Sequence, residues 1–404
     1  MIKKNYILYF LVTILFKLSD KMYVIAIPWL IYELTQSSIS TGLMFFVQTV
    51  PLICMAPVAG TLADRFSRKK VMVYSAMFQG SLVLLIPVLH QFELLQTGFL
   101  YLIGFLVASA GACFNVTNST VIPQLFKKES LMRVNSLFQI IDTSSVLFGS
   151  MAAGILISSL GVYSLFVVLG VAYIPIVISL LFLTMIHSFS QNSKKTSWQS
   201  LKEGASYLWS HPILRSLTWL IFIVNIANGA LVSMLVFYSR DEIGVTSTEL
   251  GWIYAGAGIA QFAGILLLNV VKASKETIQA MVTVLFVSAI GIILTAFSWN
   301  WFSLMICISI QSAPVIMFNV LNKTFRQQIV PSNLLGRVNG LVMMIGLASL
   351  PLAGFFTGLL SEIINIRWIF FTLGLLSLGA VIQFRRLGNM HRIRSPHSKA
   401  ELTS

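Results

Sequence analysis

The chain has 404 residues, 57% of them hydrophobic and 10% charged, with a formal net charge of +14. A soluble domain of this length must keep its outside wet, and so apolar a composition leaves too little polar surface to do it. The positive charge does not point to nucleic acid either, because it is gathered into the short breaks between apolar stretches.

A bilayer-crossing helix takes about 20 mostly apolar residues. Such stretches run at 6–32, 39–63, 71–90, 98–122, 133–159 and 163–187. After a polar interval they resume at 213–239, 247–271, 277–297, 300–323, 336–360 and 366–384. Backbone groups in hydrocarbon are satisfied only within the segment, so each stretch is expected as a helix. A β-barrel would show dyad alternation, which residues 102–112 lack. The first stretch follows Lys3 and Lys4, but it is too long and too charged for a cleaved leader, and no Ala-x-Ala-type site follows it. The expected fold class is an all-α membrane protein with twelve transmembrane helices in two pseudo-symmetric six-helix bundles.

Numbering the breaks alternately puts all 27 Lys and Arg on one side, apart from four. Arg240 and Arg367 fall on the other side, and Lys17 and Lys21 fall inside the first span. This bias places both termini in the cytoplasm and the protein in the cytoplasmic membrane as a multi-pass protein. Cys54, Cys113 and Cys307 are scattered through apolar spans, which gives neither a disulfide framework nor a metal site. The five histidines lie near span ends or in the tail and read as solvated or interfacial.

Displacing the chain on itself by 204 residues aligns four separated blocks without gaps. Phe114, Asn115, Val116, Asn118 and Thr120 meet Phe318, Asn319, Val320, Asn322 and Thr324. Leu131, Arg133, Val134, Asn135 and Leu137 meet Leu335, Arg337, Val338, Asn339 and Leu341. Ala59 and Gly60 meet Ala263 and Gly264, and Gly154 meets Gly358. Chance likeness between apolar helices would match Leu and Val, not this pattern. Six spans per copy make the halves parallel repeats. The expected domains are a bundle at 1–187, a cytoplasmic linker at 188–212, a second bundle at 213–384 and a cytoplasmic tail at 385–404. The linker is polar, then mildly amphipathic through Trp198, Leu201, Tyr207 and Leu208. It is either a short helix along the membrane interface or a plain tether.

Between spans 2 and 3 stands Gly60-Thr-Leu-Ala-Asp64-Arg65-Phe-Ser67-Arg68-Lys69-Lys70. It resembles the signature loop of the major facilitator superfamily, Gly-x-x-x-Asp-Arg-x-Gly-Arg-[Arg/Lys]. In that family the loop latches the two halves together in the outward-open state. The resemblance gives this role to Gly60, Asp64 and Arg68, with Arg65 as a second partner for Asp64. A basic loop that only fixes topology is the alternative. Ser67 replaces the usual Gly and tolerates φ > 0 poorly, so the turn is expected to be strained or altered. In the second half Leu268 stands where Asp64 would be, which makes the latch one-sided.

The segments 27–38 and 121–135 are similar to the macrolide-efflux and enterobactin-exporter branch of that superfamily. Two features common among drug/proton antiporters are missing. Residues 101–120 hold no Arg, and Gly149-Ser150-Met-Ala-Ala153-Gly154 replaces Gly-Pro-x-x-Gly-Gly.

Charges inside the bilayer cost several kcal/mol unless paired or hydrated. Asp20 and Lys21 sit mid-span 1, with Lys17 one turn earlier and able to pair with Asp20. Asp142 lies about nine residues into span 5. Asp20 and Asp142 are the candidates for binding a coupling proton or a cationic substrate; structural ion pairing or hydrogen bonding is the alternative for each. The fold that the resemblance implies lines its cavity with spans 1, 4, 7 and 10. Their polar candidates are Asn115, Asn118, Asn225, Asn228, Asn319 and Asn322. The aromatic candidates are Tyr23, Trp29, Phe114, Trp219, Phe222 and Phe318, for any one of which plain packing is the simpler role. An apolar, aromatic pocket with few polar groups fits an amphiphilic ligand.

No phosphate-binding Gly-x-x-x-x-Gly-Lys-[Ser/Thr] occurs, and no catalytic or metal-ligand cluster stands out. The expectation is therefore a non-enzymatic secondary transporter without cofactor or metal, powered by the proton gradient. Its partners are protons, an amphiphilic small molecule such as a macrolide-like drug or a siderophore, and membrane lipid. Import of a small nutrient on the same fold, and a non-transporting membrane protein such as a lipid scramblase, remain the alternatives.

Overall fold

The computed structural model describes residues 2–126, 131–183, 197–270 and 277–394, which are almost entirely helical and contain no strand among them. Six helices precede the linker: α1 (Ile2–Thr35), α2 (Ser38–Arg65), α3 (Arg68–Gln91), α4 (Thr97–Leu125), α5 (Leu131–Leu160) and α6 (Val162–Phe182). The linker contributes α7 (Ser197–Ser210). Then follow α8 (Pro212–Phe237), α9 (Ser247–Val270), α10 (Thr277–Thr295), α11 (Trp301–Ile329), α12 (Ser332–Leu360) and α13 (Ile366–Arg394). Among the described residues, 11 helices are long and apolar enough to cross a membrane. The long helix outside that set is α1, which carries Lys17, Asp20 and Lys21 in its middle.

Local chemistry sets the helix boundaries. The Ser37 hydroxyl accepts from the Ser40 N–H and caps α2, and Asn300 with Ser303 forms a reciprocal capping box on α11. The repeat survives as structure. Helices α4 and α11 are both 29 residues long, and they start and end 204 residues apart. Both end alike, with the N–H of Phe126 reaching the Ile122 carbonyl and that of Val330 reaching the Arg326 carbonyl. Helix α13 runs past 384 to Arg394, since no proline comes before Pro396.

Packing defines two compact units, and the repeat does not set their limits. Unit 1 holds Met1–Asn192, Ser233–Gly258 and Gly354–Glu362; unit 2 holds Ser193–Val232, Ile259–Ala353 and Ile363–Ser404. Lipid tails are as apolar as leucine, so close packing and hydrogen bonds, not burial from water, must hold such helices together. In unit 1, α1 lies against α5 and α6, while α4 backs both α2 and α3. Its core is built on buried Tyr9, Phe16, Phe114 and Phe166, with Phe16 and Phe114 stacked at 3.8 Å. In unit 2, α10 packs on α11 and α13 around Leu217, Leu285, Phe318, Val338 and Val381. The linker helix belongs to this core: Leu208 is fully buried in it, and Glu203 forms an ion pair with Arg337 of α12. The linker is thus helical over Ser197–Ser210.

Within unit 1, two glycine crossings bring distant parts of the chain together at the end of the α1–α2 turn. A β-carbon on Gly154 of α5 would lie 2.5 Å from the Ser247 carbonyl and 3.0 Å from the Gly251 Cα of α9. A β-carbon on Gly42 of α2 would lie 2.5 Å from the Gly354 carbonyl and 3.1 Å from the Gly358 Cα of α12. Gly154 and Gly358 are repeat equivalents, so the same contact is made twice. The hydroxyls of Thr248 and Ser158 close one crossing at 2.9 Å, and that of Ser38 reaches the Gly358 carbonyl at 3.1 Å in the other.

Candidate functional site

Four charged side chains meet near the middle of α1. The Lys17 ammonium lies 3.1 Å from the Asp142 carboxylate of α5, and Lys21 lies 3.6 Å from Asp20. Lys17, which could have paired with Asp20 along its own helix, instead bonds between helices. The two helices approach closely at Gly149, where a β-carbon would lie 3.0 Å from that of Lys21, so the long Lys17 side chain reaches α5. The four charges sum to zero, and each side chain keeps about a quarter to a third of its surface accessible. This is the least costly way to carry ions at membrane depth while leaving them reachable. Tyr23, one turn beyond, is buried edge-on to Phe166.

A second charged cluster closes the C-terminal end of α1. Helix α8 widens there into a π-helical turn, Tyr238–Glu242, which carries Arg240 and Asp241. Such turns shift the register of the side chains beyond them. The Arg240 guanidinium lies 4.0 Å above the Trp29 ring and 5.0 Å from that of Tyr32. Trp29 Nε1 donates to Glu33 Oε2 at 3.1 Å, and that oxygen lies 4.0 Å from Arg240. The Tyr32 hydroxyl donates to Asp241 Oδ1 at 3.0 Å. Two rings, one cation and two carboxylates thus join segments 209 residues apart. Sequence reading assigned Trp29 to a cavity and missed this cluster. The available signal was Arg240, one of two basic residues off the basic side.

The remaining candidates are dispersed. The Tyr9 hydroxyl donates to Asn118 Oδ1, and Asn115 donates to the Gly111 carbonyl of its own helix at 2.9 Å. Phe114 and Phe318 are buried in the cores of their units. In unit 2, Asn225 donates to the Gly346 carbonyl at 3.0 Å. Asn228 accepts from Gln311 Nε2 at 2.7 Å, which ties α8 to α11 through a residue not singled out in the sequence. Asn319 is exposed, and the Asn322 side-chain oxygen is buried without a partner among the described residues. Trp219 is exposed and edge-on to Phe222. In the signature loop, α2 runs through Gly60 and Asp64 to Arg65, whose side chains lie outside the described residues. Arg68 opens α3, and its Nη1 is buried with no partner among the described residues. Ser67 has φ −58°, so the turn is altered and not strained: it does not need the left-handed conformation that glycine would favour. No cluster with metal-ligand geometry occurs among the described residues.

A family model described as Major Facilitator Superfamily matches residues 9–273 and 220–402. The MFS-type transporter YfiS of Bacillus subtilis, itself uncharacterized, is 28% identical over 62% of this chain; the match spans 59% of YfiS, under two thirds of its length. The multidrug efflux pump Tap of Mycolicibacterium fortuitum is 22% identical over 89% of this chain and 90% of the pump. The enterobactin exporter EntS of Shigella boydii is 24% identical over 78% of this chain and 76% of the exporter. Among solved structures, a mutant of the nucleoside transporter NupG covers 94% of this chain and 99% of its own at a TM-score of 0.77; its 14% identity makes this a likeness of fold alone. With both repeats inside the matched residues, and efflux proteins among its relatives as the resemblance implied, the chain belongs to the major facilitator superfamily of membrane transporters.

Proposed function

We propose that this transporter exports an amphiphilic small molecule, of the macrolide-like or siderophore class, in exchange for protons. It would work by alternating access in the cytoplasmic membrane, with both termini inside. The named efflux relatives and the one-sided distribution of Lys and Arg support this reading.

The observation that carries it is the neutral quartet of Lys17, Asp20, Lys21 and Asp142. Protonating either carboxylate leaves one uncompensated positive charge at membrane depth, and so does a cationic amphiphile bound beside the intact quartet. A second positive charge there costs further energy, so a proton and a cationic cargo exclude one another, which is the requirement for exchange. Protonated Asp142 also releases Lys17 and loosens α1 from α5.

The test uses purified protein in inside-out vesicles, with an imposed and then collapsed pH gradient. A labelled macrolide and a fluorescent amphiphilic cation serve as cargo, with Asp20→Asn and Asp142→Asn run in parallel. Gradient-driven accumulation that at least one substitution abolishes is expected. Accumulation of neither compound by wild type, or gradient-driven accumulation undiminished in both variants, would overturn the reading.

A further inference from the structure

Helices α2 and α3 both pack along α4 but scarcely touch one another, which opens a groove with α4 as its floor. Its volume is about 880 Å³, within the range of roughly 300–1,000 Å³ typical of small-ligand sites. Met55 and Leu62 form one wall, Met77 and Phe78 the other, and Leu106 and Ala110 the floor. Four hydroxyls line it, of which two turn inward to their own helices: Ser81 to the Met77 and Phe78 carbonyls, and Ser109 to that of Phe105. Apart from the Tyr74 and Ser75 hydroxyls, the groove presents apolar side chains along its length. Its open side is the exposed face of α3, where Tyr74, Met77 and Phe78 project outward. In a membrane-spanning helix, acyl chains cover such a face.

One end of the groove is different. Lys70 stands there, exposed, in the first turn of α3 with Arg68 and Lys69, shortly after Arg65 at the end of α2. The neighbouring Lys69 is already engaged, donating to the Leu181 carbonyl at the end of α6. Lys70 has no ion-pair partner among the described residues. An apolar trough capped at its polar end by the exposed Lys70 ammonium, within a basic stretch, is complementary to a long hydrocarbon chain with an anionic head. We propose that this groove is a binding site for an anionic phospholipid, with an acyl chain between α2 and α3 and its phosphate on Lys70. The charge at the rim selects the headgroup, and the walls hold the chain.

The experiment is native mass spectrometry of the full-length protein in detergent, titrated with equimolar phosphatidylglycerol and phosphatidylethanolamine of identical chains. Wild type is expected to retain phosphatidylglycerol several-fold over phosphatidylethanolamine. Lys70→Glu should erase that preference. Met77→Trp, at an exposed wall position that folding tolerates, should lower retention of both lipids several-fold by filling the trough. Equal retention of the two lipids by wild type would overturn the proposal. So would a phosphatidylglycerol preference unchanged in both variants, or displacement of the lipid by a labelled macrolide at equal concentration, which would make the groove a cargo site.

Discussion

Helix α1 carries two charged clusters whose construction differs. In the middle, Lys17, Asp20, Lys21 and Asp142 are all aliphatic ions, paired directly and balanced in number, and they tie α1 only to α5. At the C-terminal end, Arg240 is held by the faces of Trp29 and Tyr32, and its carboxylate Glu33 stands at the 4.0 Å limit of an ion pair. The first cluster depends on charge, so a proton or a cation disturbs it directly. The second depends on ring contact and hydrogen bonding, which no change of protonation near neutral pH removes from Arg or Trp. One region is thus suited to sensing an ion. The other is suited to clasping remote segments with a strength that is fixed.

The largest effect separating the two is expected at Asp142. Replacing it with Leu strands Lys17 at membrane depth and should lower stability by about 2 kcal/mol, less than for a fully buried pair because both side chains are partly exposed. The double substitution Lys17→Leu/Asp142→Leu should restore most of that loss in a detergent thermal-unfolding assay, while gradient-driven transport stays abolished. If the double variant transports, the pair only holds α1 to α5 and senses nothing.

Next comes Gly154→Val. The new β-carbon would collide with the Ser247 carbonyl and the Gly251 backbone, which have no rotamer through which to yield. Overpacking of this kind costs about 1–3 kcal/mol, enough to move a two-state equilibrium by roughly fivefold to a hundredfold. In a variant lacking Cys54, Cys113 and Cys307, the pair Ser158→Cys and Thr248→Cys should form a disulfide readily, because their hydroxyls lie 2.9 Å apart. Adding Gly154→Val should cut its yield sharply. An unchanged yield would mean that the crossing adjusts without parting.

How much of this was legible in sequence follows from how local each feature is. The helices were readable because lipid forces every backbone group to be satisfied within its own segment. The repeat was readable because Phe114, Asn115 and Asn118 recur as Phe318, Asn319 and Asn322. The mid-membrane charges were visible as types, but their pairing was not. Lys17 bonds to Asp142 and not Asp20 because α1 comes close to α5 at Gly149, a fact of packing. The clasp was hidden for the same reason, as Tyr32 and Asp241 are 209 residues apart. The π-helical turn that places Arg240 has no periodic signature at all.

A smaller effect is expected at Arg240. Arg240→Ala removes contact with two rings and should weaken the clasp by about 1–2 kcal/mol, given how far the guanidinium is desolvated. Disulfide yield between positions 158 and 248 should fall severalfold. Arg240→Lys should recover only part, because an ammonium keeps the charge but not the flat face that lies over Trp29. Gradient dependence should be unaltered in both variants, which is where this cluster parts from the first.

The finest probe is Tyr32→Phe. It keeps the ring against Arg240 and Phe237 and deletes only the hydrogen bond to Asp241. The expected loss is about 1 kcal/mol, the net worth of one such bond with a charged acceptor that remains partly exposed to other donors. The disulfide yield should therefore fall less than in Arg240→Ala. The two losses should not simply add in the double variant, because the Tyr32 ring lies against the same guanidinium that Arg240→Ala removes. A larger loss for Tyr32→Phe than for Arg240→Ala would invert the assignment: the carboxylate would hold the clasp, and the clasp too would then answer to protons.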